Sequence, residues 1–140
     1  MLEGVDKTGK STLLKAINRA TNYKHFCIDR CLGSAFVYDY ISNRRNRNKK
    51  LKTIEKDFSQ IKSIPIITIL LTCKKQVLID RIRKEDESPN QRIKLLDKAL
   101  KAYKMYKKYT YLPLIEVDTT NKSVSQTVSE ILQKIKEYEK

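Results

Sequence analysis

Gly4-Val5-Asp6-Lys7-Thr8-Gly9-Lys10-Ser11 is the most informative stretch of the sequence, because it matches the pattern Gly, any four residues, Gly, Lys, then Ser or Thr. Loops of this pattern wrap phosphate groups at the start of a helix. Gly4 and Gly9 permit conformations and close approaches that a Cβ would block, so successive backbone N–H groups can point at phosphate oxygens. The N-terminus of the following helix adds positive charge at the same place. The stretch therefore predicts a nucleotide-phosphate site.

The polar side chains at the end of this loop match the groups of a nucleotide with a bound metal ion. Lys10 can bridge the β- and γ-phosphates, Ser11 offers a hydroxyl to Mg²⁺, and Thr12 can hydrogen-bond a neighbouring phosphate. We therefore expect ATP and Mg²⁺ as cofactors. The residues expected to bind the nucleotide through this loop are Gly4, Val5, Asp6, Lys7, Thr8, Gly9, Lys10, Ser11 and Thr12.

Composition narrows the class of protein. The 140 residues include 30 Lys and Arg against 16 Asp and Glu, which gives a net charge of +14. A surface with this charge attracts polyanions such as nucleic acids, nucleotides and phosphorylated substrates. Only three Gly, three Pro and no Trp are present, which excludes collagen-like, Pro/Gly-disordered and disulfide-framework proteins. The length fits a single domain over residues 1–140.

The apolar runs and the cysteines of the sequence indicate where in the cell the protein is located. The longest apolar run, Ile64–Leu71, is far shorter than the roughly 20 residues of a membrane-spanning helix. No basic segment followed by an apolar stretch opens the sequence, so we expect no membrane partner and a cytoplasmic location. Cys27, Cys31 and Cys73 are odd in number and form no C-x-x-C pair, so reduced thiols are expected rather than a disulfide or a zinc site. The lone His25 is expected to be an ordinary strand residue.

Hydrophobic spacing predicts alternating helices and strands. Helices are expected over residues 10–21 and 32–43, from Leu51 to a point before Pro65, and over residues 74–84, 91–108 and 124–135. Strands are expected over residues 23–28, 66–71 and 114–117. Residues 44–50 are expected to form a basic loop or a frayed helix end. The nearly all-apolar Ile66–Leu71 is typical of a strand covered on both faces. The alternation predicts an α/β fold with a small parallel sheet of about four strands and helices on both faces.

Asp29 follows the strand expected after the first helix, so it would lie beside the phosphate loop. A carboxylate there can hold hydrated Mg²⁺ or act as a base. A monophosphate acceptor is already ionised and needs no base, whereas a sugar or polynucleotide hydroxyl must lose a proton during transfer. Capping of the helix that starts at residue 32 is the structural alternative. Asp118, at the end of the last strand, is interpreted as a turn or cap residue.

Residues 2–12 closely resemble the phosphate loop of thymidylate kinases, a branch of the P-loop nucleoside monophosphate kinases. Three further segments resemble this family in the same order along the chain. They are Asp29-Arg30, Val77–Arg83, and Ile115–Asp118 with the helix after it. The segment through Cys31, Ser34, Val37 and Tyr38 also resembles related deoxynucleoside kinases. The resemblance implies a short, divergent member with a three-layer P-loop fold, which transfers the γ-phosphoryl group of ATP to a deoxynucleoside monophosphate, dTMP above all.

The resemblance also implies roles for individual residues. Asp6 would lie near the acceptor sugar, Arg30 would bind the acceptor monophosphate, and Tyr38 would belong to the same acceptor site. Arg81 would stack on the adenine of ATP, and Arg83 would swing onto the phosphates with a lid. A solvated helix face is the alternative for these last two arginines. The residues implied as catalytic are Lys10, Asp29 and Arg83, and those implied as metal ligands are Ser11 and Asp29.

The lid is expected at residues 84–91. There the run Glu85-Asp86-Glu87-Ser88-Pro89-Asn90 interrupts the helical spacing with polar residues and a proline. Such a break between two amphipathic helices allows the segment to close over bound phosphates.

Three features depart from the family pattern. Only three residues precede Gly4, so the first strand is nearly absent; either the natural start lies upstream or the strand is vestigial, and we expect marginal stability. A short interval precedes Asp29, where thymidylate kinases insert another strand with an arginine for the acceptor phosphate, so Arg30 would act with basic residues of the segment 44–52. Lys7 stands where some members have an arginine at the transferring phosphoryl group, and an ammonium cannot make the same bidentate contact.

Two other functions remain open. A polynucleotide 5′-kinase or deoxynucleoside kinase would suit the +14 charge and the missing acceptor strand. A non-catalytic nucleic-acid-binding protein on a P-loop scaffold would bind phosphates through Arg44–Lys52 and stack bases on tyrosines. The tyrosines in question are Tyr103, Tyr106, Tyr109 and Tyr111. The helical spacing of Tyr103 and Tyr106 favours core positions instead. Members of the family commonly dimerise, so a homodimer is a further possibility.

Overall fold

The computed structural model describes residues 1–61, 63 and 65–140 and shows an α/β fold. Its elements in chain order are β1 (Leu2–Glu3), α1 (Lys10–Ala20), α2 (Leu32–Ile41), α3 (Arg47–Ser59), β2 (Thr68–Thr72), α4 (Lys75–Glu85), α5 (Pro89–Tyr109), β3 (Leu114–Asp118) and α6 (Val124–Glu139). The three strands are parallel in the order β1-β2-β3. Within the described part of the chain, no helix is both long and apolar enough to cross a membrane.

The central strand β2 separates two hydrophobic cores. Ile69 and Leu71 belong to the core formed with α1 and α6, whereas Leu70 belongs to the core formed with α2, α4 and α5. Successive side chains of a strand point to opposite faces, so the middle of β2, residues 69–71, is apolar because helices cover both of its sides. The prediction of a sheet between two helical layers is confirmed.

The ends of β2 differ slightly from the prediction. The apolar run contains Ile66, but pairing with β3 begins at Thr68, which lies opposite Leu114, and continues to Thr72. A strand can extend only as far as its neighbours offer hydrogen-bonding partners. The first residue of the run, Ile64, lies outside the described residues.

The expectation of about four strands is wrong, because the described residues form three. The segment 23–28 was predicted as a strand, yet the structure has only an isolated parallel bridge between Leu2 and Asp29 at this edge. The two-residue β1 offers too few hydrogen-bonding groups to pair with a longer segment. Phe26 is accordingly 92% exposed, and His25 lies in a bend rather than a strand.

The basic segment 44–50 is partly helical, which corrects the prediction of a loop or frayed end there. Helix α3 begins at Arg47, whose guanidinium lies 4.9 Å from the centre of the Tyr40 ring on α2. This cation–π contact holds the first turn of α3 against its neighbour. The helix ends at Ser59, so Ile61 lies beyond it and is exposed.

The connection between α4 and α5 is shorter than the predicted lid at residues 84–91. Helix α4 continues to Glu85 and α5 begins at Pro89, which leaves residues 86–88 as the connection. Proline suits the first turn of a helix because its missing N–H would have no helical partner there.

The core positions that helical spacing favours for Tyr103 and Tyr106 are confirmed, because both side chains are buried. Ser123 and Gln126 form a capping box at the start of α6. Cys27, Cys31 and Cys73 are free thiols.

Candidate functional site

The phosphate loop runs from the end of β1 to the start of α1 and depends on its glycines. Gly4 has a φ of 142°, and a Cβ at this position would lie 2.5 Å from the carbonyl oxygen of Leu71 in β2. Gly9 has a φ of 91° at the N-cap of α1, and Lys7 also lies in the left-handed region with a φ of 67°. The loop therefore curls tightly against the sheet, as the sequence pattern predicts.

Lys10 points into the centre of this loop. Its Nζ donates hydrogen bonds of 2.8 Å to the carbonyl oxygens of both Gly4 and Val5, and the residue is only 5% exposed. Burial lowers the pKa of Lys10, and the nearby Arg30 charge adds to the effect. A buried ammonium with only neutral acceptors is well placed to bind a phosphate oxygen.

Besides Lys10, the polar side chains of Ser11 and Asp29 lie together at the start of α1. Ser11 Oγ donates a 2.8 Å hydrogen bond to Asp29 Oδ2, while the buried Asp29 Oδ1 has no hydrogen-bond partner among the described residues. Asp29 is held there by the bridge to Leu2 in β1.

This donor set fits Mg²⁺, which is commonly bound by one or two protein oxygens together with water and substrate phosphates. Among the described residues, no group of three or more His, Cys, Asp and Glu side chains could hold a metal ion by itself.

The predicted acceptor residues meet on the other side of the loop. Arg30 lies with one terminal nitrogen 2.8 Å from Asp6 Oδ1, and the other donates a 3.3 Å hydrogen bond to Tyr38 Oη. Sequence reasoning missed Arg92, which approaches the second oxygen of Asp6 at 3.7 Å. These four side chains line a cavity of about 120 Å³ that extends between the loop, α2 and α5 to Tyr103.

The two arginines of α4 have different positions. Arg81 is half-buried and donates hydrogen bonds to the carbonyl oxygens of Lys7 at 2.9 Å and Thr119 at 3.5 Å. It therefore joins the phosphate loop to the turn after β3. Arg83 is exposed and lies about 200° further around the helix, so the structure does not bring it to the loop.

The turn after β3 is fixed by Asp118. Its Oδ1 accepts hydrogen bonds from the backbone N–H of Thr120 at 2.9 Å and from the Thr120 hydroxyl at 2.7 Å. The bond from the hydroxyl is the main reason that the pKa of Asp118 is lowered. The interpretation of Asp118 as a turn residue is confirmed.

Ion pairs connect the loop to the α4–α5 connection, a contact that sequence reasoning missed. Lys7 Nζ lies 2.8 Å from Glu85 Oε2 and 3.1 Å from Asp86 Oδ1, and hydrogen bonding to these carboxylates, Glu85 foremost, raises the pKa of Lys7. Arg92 Nε in turn lies 3.2 Å from Asp86 Oδ2. The acidic run after α4 was visible in the sequence, but its partner Lys7 is 78 residues away from Glu85.

Glu3 is a second group that sequence reasoning missed. It is completely buried and its carboxylate accepts hydrogen bonds from Cys31 N, Gly33 N and Ser34 Oγ at 2.7, 2.9 and 2.7 Å. These bonds hold the start of α2, the helix that carries Tyr38, against β1. A charged residue inside the first strand, directly before the glycine loop, was the available signal.

Comparisons with known proteins show the fold. No known protein family matches the sequence, and no curated protein is detectably similar. Among solved structures, the chain is similar to the YorR protein from Bacillus subtilis, whose crystal structure is a complex with phosphorylated GDP. The TM-score is 0.74 with 20% sequence identity, over 96% of this chain and 94% of that chain. The two proteins therefore share one fold over almost their whole lengths.

Proposed function

We propose that this protein is a nucleotide kinase, which transfers the γ-phosphoryl group of ATP to a nucleoside monophosphate. One observation carries the proposal: Asp6 belongs to the phosphate loop and also contacts the cationic pair Arg30 and Arg92. A loop for donor phosphates and a cluster for a second anion are thus adjacent, as phosphoryl transfer between two nucleotides requires.

The donor side would use the loop amides and four side chains. Lys10 would exchange its bonds to the Gly4 and Val5 carbonyls for oxygens of the β- and γ-phosphates. Ser11 and Asp29 would hold Mg²⁺, which supplies positive charge to the phosphates when bound. The exposed Thr12 would reach a neighbouring phosphate. Charge stabilisation and positioning would supply most of the rate enhancement.

The acceptor side would use Arg30 and Arg92 for the monophosphate and the cavity behind them for the base. The cavity of about 120 Å³ is smaller than the roughly 300 Å³ of a pocket that encloses a whole small molecule. We therefore assign only the base to it, with the sugar and phosphate at the mouth beside Asp6 and Tyr38. The phosphorylated GDP bound by the similar YorR protein supports a phosphorylated nucleotide as ligand. The resemblance of the phosphate loop favours dTMP as the first acceptor to test, and dGMP is its natural competitor.

No general base is needed for such an acceptor, because a phosphate monoester is already ionised at neutral pH. The hydrogen bond from Ser11 to Asp29 supports metal binding rather than proton abstraction for this carboxylate. A hydroxyl acceptor would instead require Asp29 to take up a proton. A polynucleotide or deoxynucleoside kinase would therefore need Asp29 as a base, whereas a nucleoside monophosphate kinase would not.

The test is ADP release from Mg-ATP with deoxynucleoside monophosphates, nucleosides and 5′-hydroxyl oligonucleotides. Lys10→Met is expected to lower turnover by at least about 100-fold, whereas Lys15→Met, at an exposed site on the same helix, is the matched control. Turnover only with a monophosphate supports the proposal. Turnover only with an oligonucleotide or nucleoside assigns the protein to the other kinase class. Salt-sensitive oligonucleotide binding without any Lys10-dependent turnover would instead indicate a non-catalytic nucleic-acid-binding protein on a P-loop scaffold.

Nucleic-acid binding and homodimerisation stay predictions. In the basic segment 44–52, both Arg44 and Lys50 pair with Asp39, at 3.0 and 3.6 Å, so part of its charge is already compensated. We further propose a reducing, cytoplasmic environment, which the three free thiols support.

A further inference from the structure

A chain of charges joins the α4–α5 connection to the phosphate loop. It runs from Glu85 to Lys7, from Lys7 to Asp86, from Asp86 to Arg92, and from Arg92 to Asp6, with distances of 2.8, 3.1, 3.2 and 3.7 Å. Two neighbouring residues of the loop are therefore contacted from this part of the chain: Lys7 by the end of α4 and the connection after it, and Asp6 by the first turn of α5.

Asp86 and Glu85 have different positions in this chain. The Asp86 side chain is 12% exposed, and its two oxygens contact different cations, Lys7 and Arg92. The Glu85 side chain is 54% exposed and, within the described part of the chain, pairs with Lys7 alone. A phosphate oxygen could therefore replace Glu85 at Lys7 while Asp86 keeps both of its partners.

The backbone of Lys7 is also held by α4, the helix that ends at Glu85. Arg81 in α4 donates a 2.9 Å hydrogen bond to the Lys7 carbonyl oxygen. Glu85, which pairs with the Lys7 side chain, follows Arg81 by four residues in the same helix. Lys7 lies between the two loop glycines, in the proposed donor-phosphate site, and Arg92 lies beside Asp6 at the cavity proposed for the acceptor. Without a carboxylate between them, the two cations would repel each other.

We propose that Asp86 is a positioning residue, which holds Lys7 on the donor side and Arg92 on the acceptor side and so closes the α4–α5 connection over the phosphate loop. The proposal rests on the proposed kinase function for its catalytic consequence. The geometric part, that Asp86 orders the loop, is independent of it.

The kinetic test compares Asp86→Asn with Glu87→Gln, a matched loss of charge at an exposed residue of the same connection. Asp86→Asn is expected to lower kcat by about 10- to 100-fold, because small displacements of positioning groups are costly. The KM values for ATP and acceptor should change by less than about threefold, since both cations remain. Glu87→Gln should leave kcat within about twofold. An unchanged kcat in Asp86→Asn overturns the catalytic part of the proposal.

A double-mutant cycle separates positioning from a merely structural effect. If Asp86 acts through the two cations, Asp86→Asn should change kcat by less than about twofold in a Lys7→Gln/Arg92→Gln background. An effect as large as in the wild type shows that Asp86 acts in another way and overturns the proposal. Thermal midpoints of all variants identify any loss of folded protein.

Hydrogen exchange tests the geometric part without turnover. In the nucleotide-free protein, Asp86→Asn is expected to raise amide exchange across residues 4–10 by about tenfold, and Glu87→Gln to leave it unchanged. If the wild type phosphorylates no acceptor, the kinase function fails, and the exchange result alone decides whether Asp86 orders the loop. Equal loop exchange in wild type and Asp86→Asn overturns that role.

Discussion

The carboxylate of Glu3 accepts a 2.9 Å hydrogen bond from the backbone N–H of Gly33. It also accepts bonds from Cys31 N and Ser34 Oγ, so one buried side chain satisfies donors over the first turn of α2. Negative charge is favourable at a helix N-terminus. The strand that leads into the phosphate loop and the helix that borders the acceptor cavity are thereby joined through Glu3.

Glu3→Gln is expected to lower the free energy of unfolding by about 2–4 kcal/mol. The amide keeps one acceptor oxygen but presents an NH₂ group to donors, and it loses the charge that strengthens all three bonds. Urea denaturation followed by circular dichroism measures the change. Glu139→Gln, at an exposed position at the end of α6, should stay within about 0.5 kcal/mol of wild type. Equal stability of both variants would contradict this account of Glu3.

Gly33→Ala is expected to destabilise the protein by about 1–3 kcal/mol, although alanine is ordinarily the better helix former. A Cβ at Gly33 would lie 2.9 Å from both Glu3 Cδ and Tyr106 Cε1, and both neighbours are completely buried. The thermal midpoint should fall. A higher midpoint would show that helix propensity outweighs the steric conflict.

Local patterns predicted the phosphate loop, α6 and most of β2 because each depends on residues close together in the sequence. The loop follows from its glycines and Lys10, and β2 from its nearly continuous run of apolar residues. Asp6, Arg30 and Tyr38 do meet in the structure, but the resemblance to a family, not spacing, suggested that they would.

The failures have a tertiary cause. The segment 23–28 has the composition of a strand, but a strand also needs a partner, and β1 is only two residues long. Asp86 lies in the polar break and Arg92 in the helix predicted over residues 91–108. Both look like ordinary residues there, because their role depends on the distant Lys7 and Asp6. No local pattern contains that information.

Phe26→Ala and Phe36→Ala should differ sharply in stability. Phe26 is almost fully exposed in the segment 23–28, whereas Phe36 lies buried in the core between α2 and α5. We expect a change within about 0.5 kcal/mol for Phe26→Ala and a loss of about 3–5 kcal/mol for Phe36→Ala. Urea denaturation measures both. A large loss at Phe26 would mean that the segment 23–28 packs against the protein after all.

Arg92→Gln is expected to raise the acceptor KM by about tenfold, because a charge-assisted contact to the monophosphate is lost. The KM for ATP should change little. Initial rates at varied acceptor concentration give both values. Lys98→Gln removes a positive charge from an exposed position of the same helix and should not alter either KM; an equal effect of both variants would point to general charge attraction instead.

Lys10 should make stability depend on pH in the alkaline range. Its pKa is lowered by burial from the ordinary 10.5, so between the lowered value and 10.5 the unfolded chain binds more protons than the folded one. Stability therefore rises with pH through that window. The pKa of Lys7 is raised above 10.5, so Lys7 makes stability depend on pH only at pH values above this window.

The measurement is the free energy of unfolding of wild type minus that of Lys10→Met, between about pH 8 and about pH 10.5. This difference should increase with pH. A constant or decreasing difference would show that Lys10 is not held in a poorly solvated site.

The two-residue strand β1 has a consequence for synthesis of the chain. Leu2 and Glu3 pair with Ile69 and Leu70, so they are made long before their partners exist. Contacts between residues so distant in sequence close large loops and form late. The phosphate loop should therefore take its shape only after the ribosome has added β2, and a nascent chain shorter than this should retain no nucleotide.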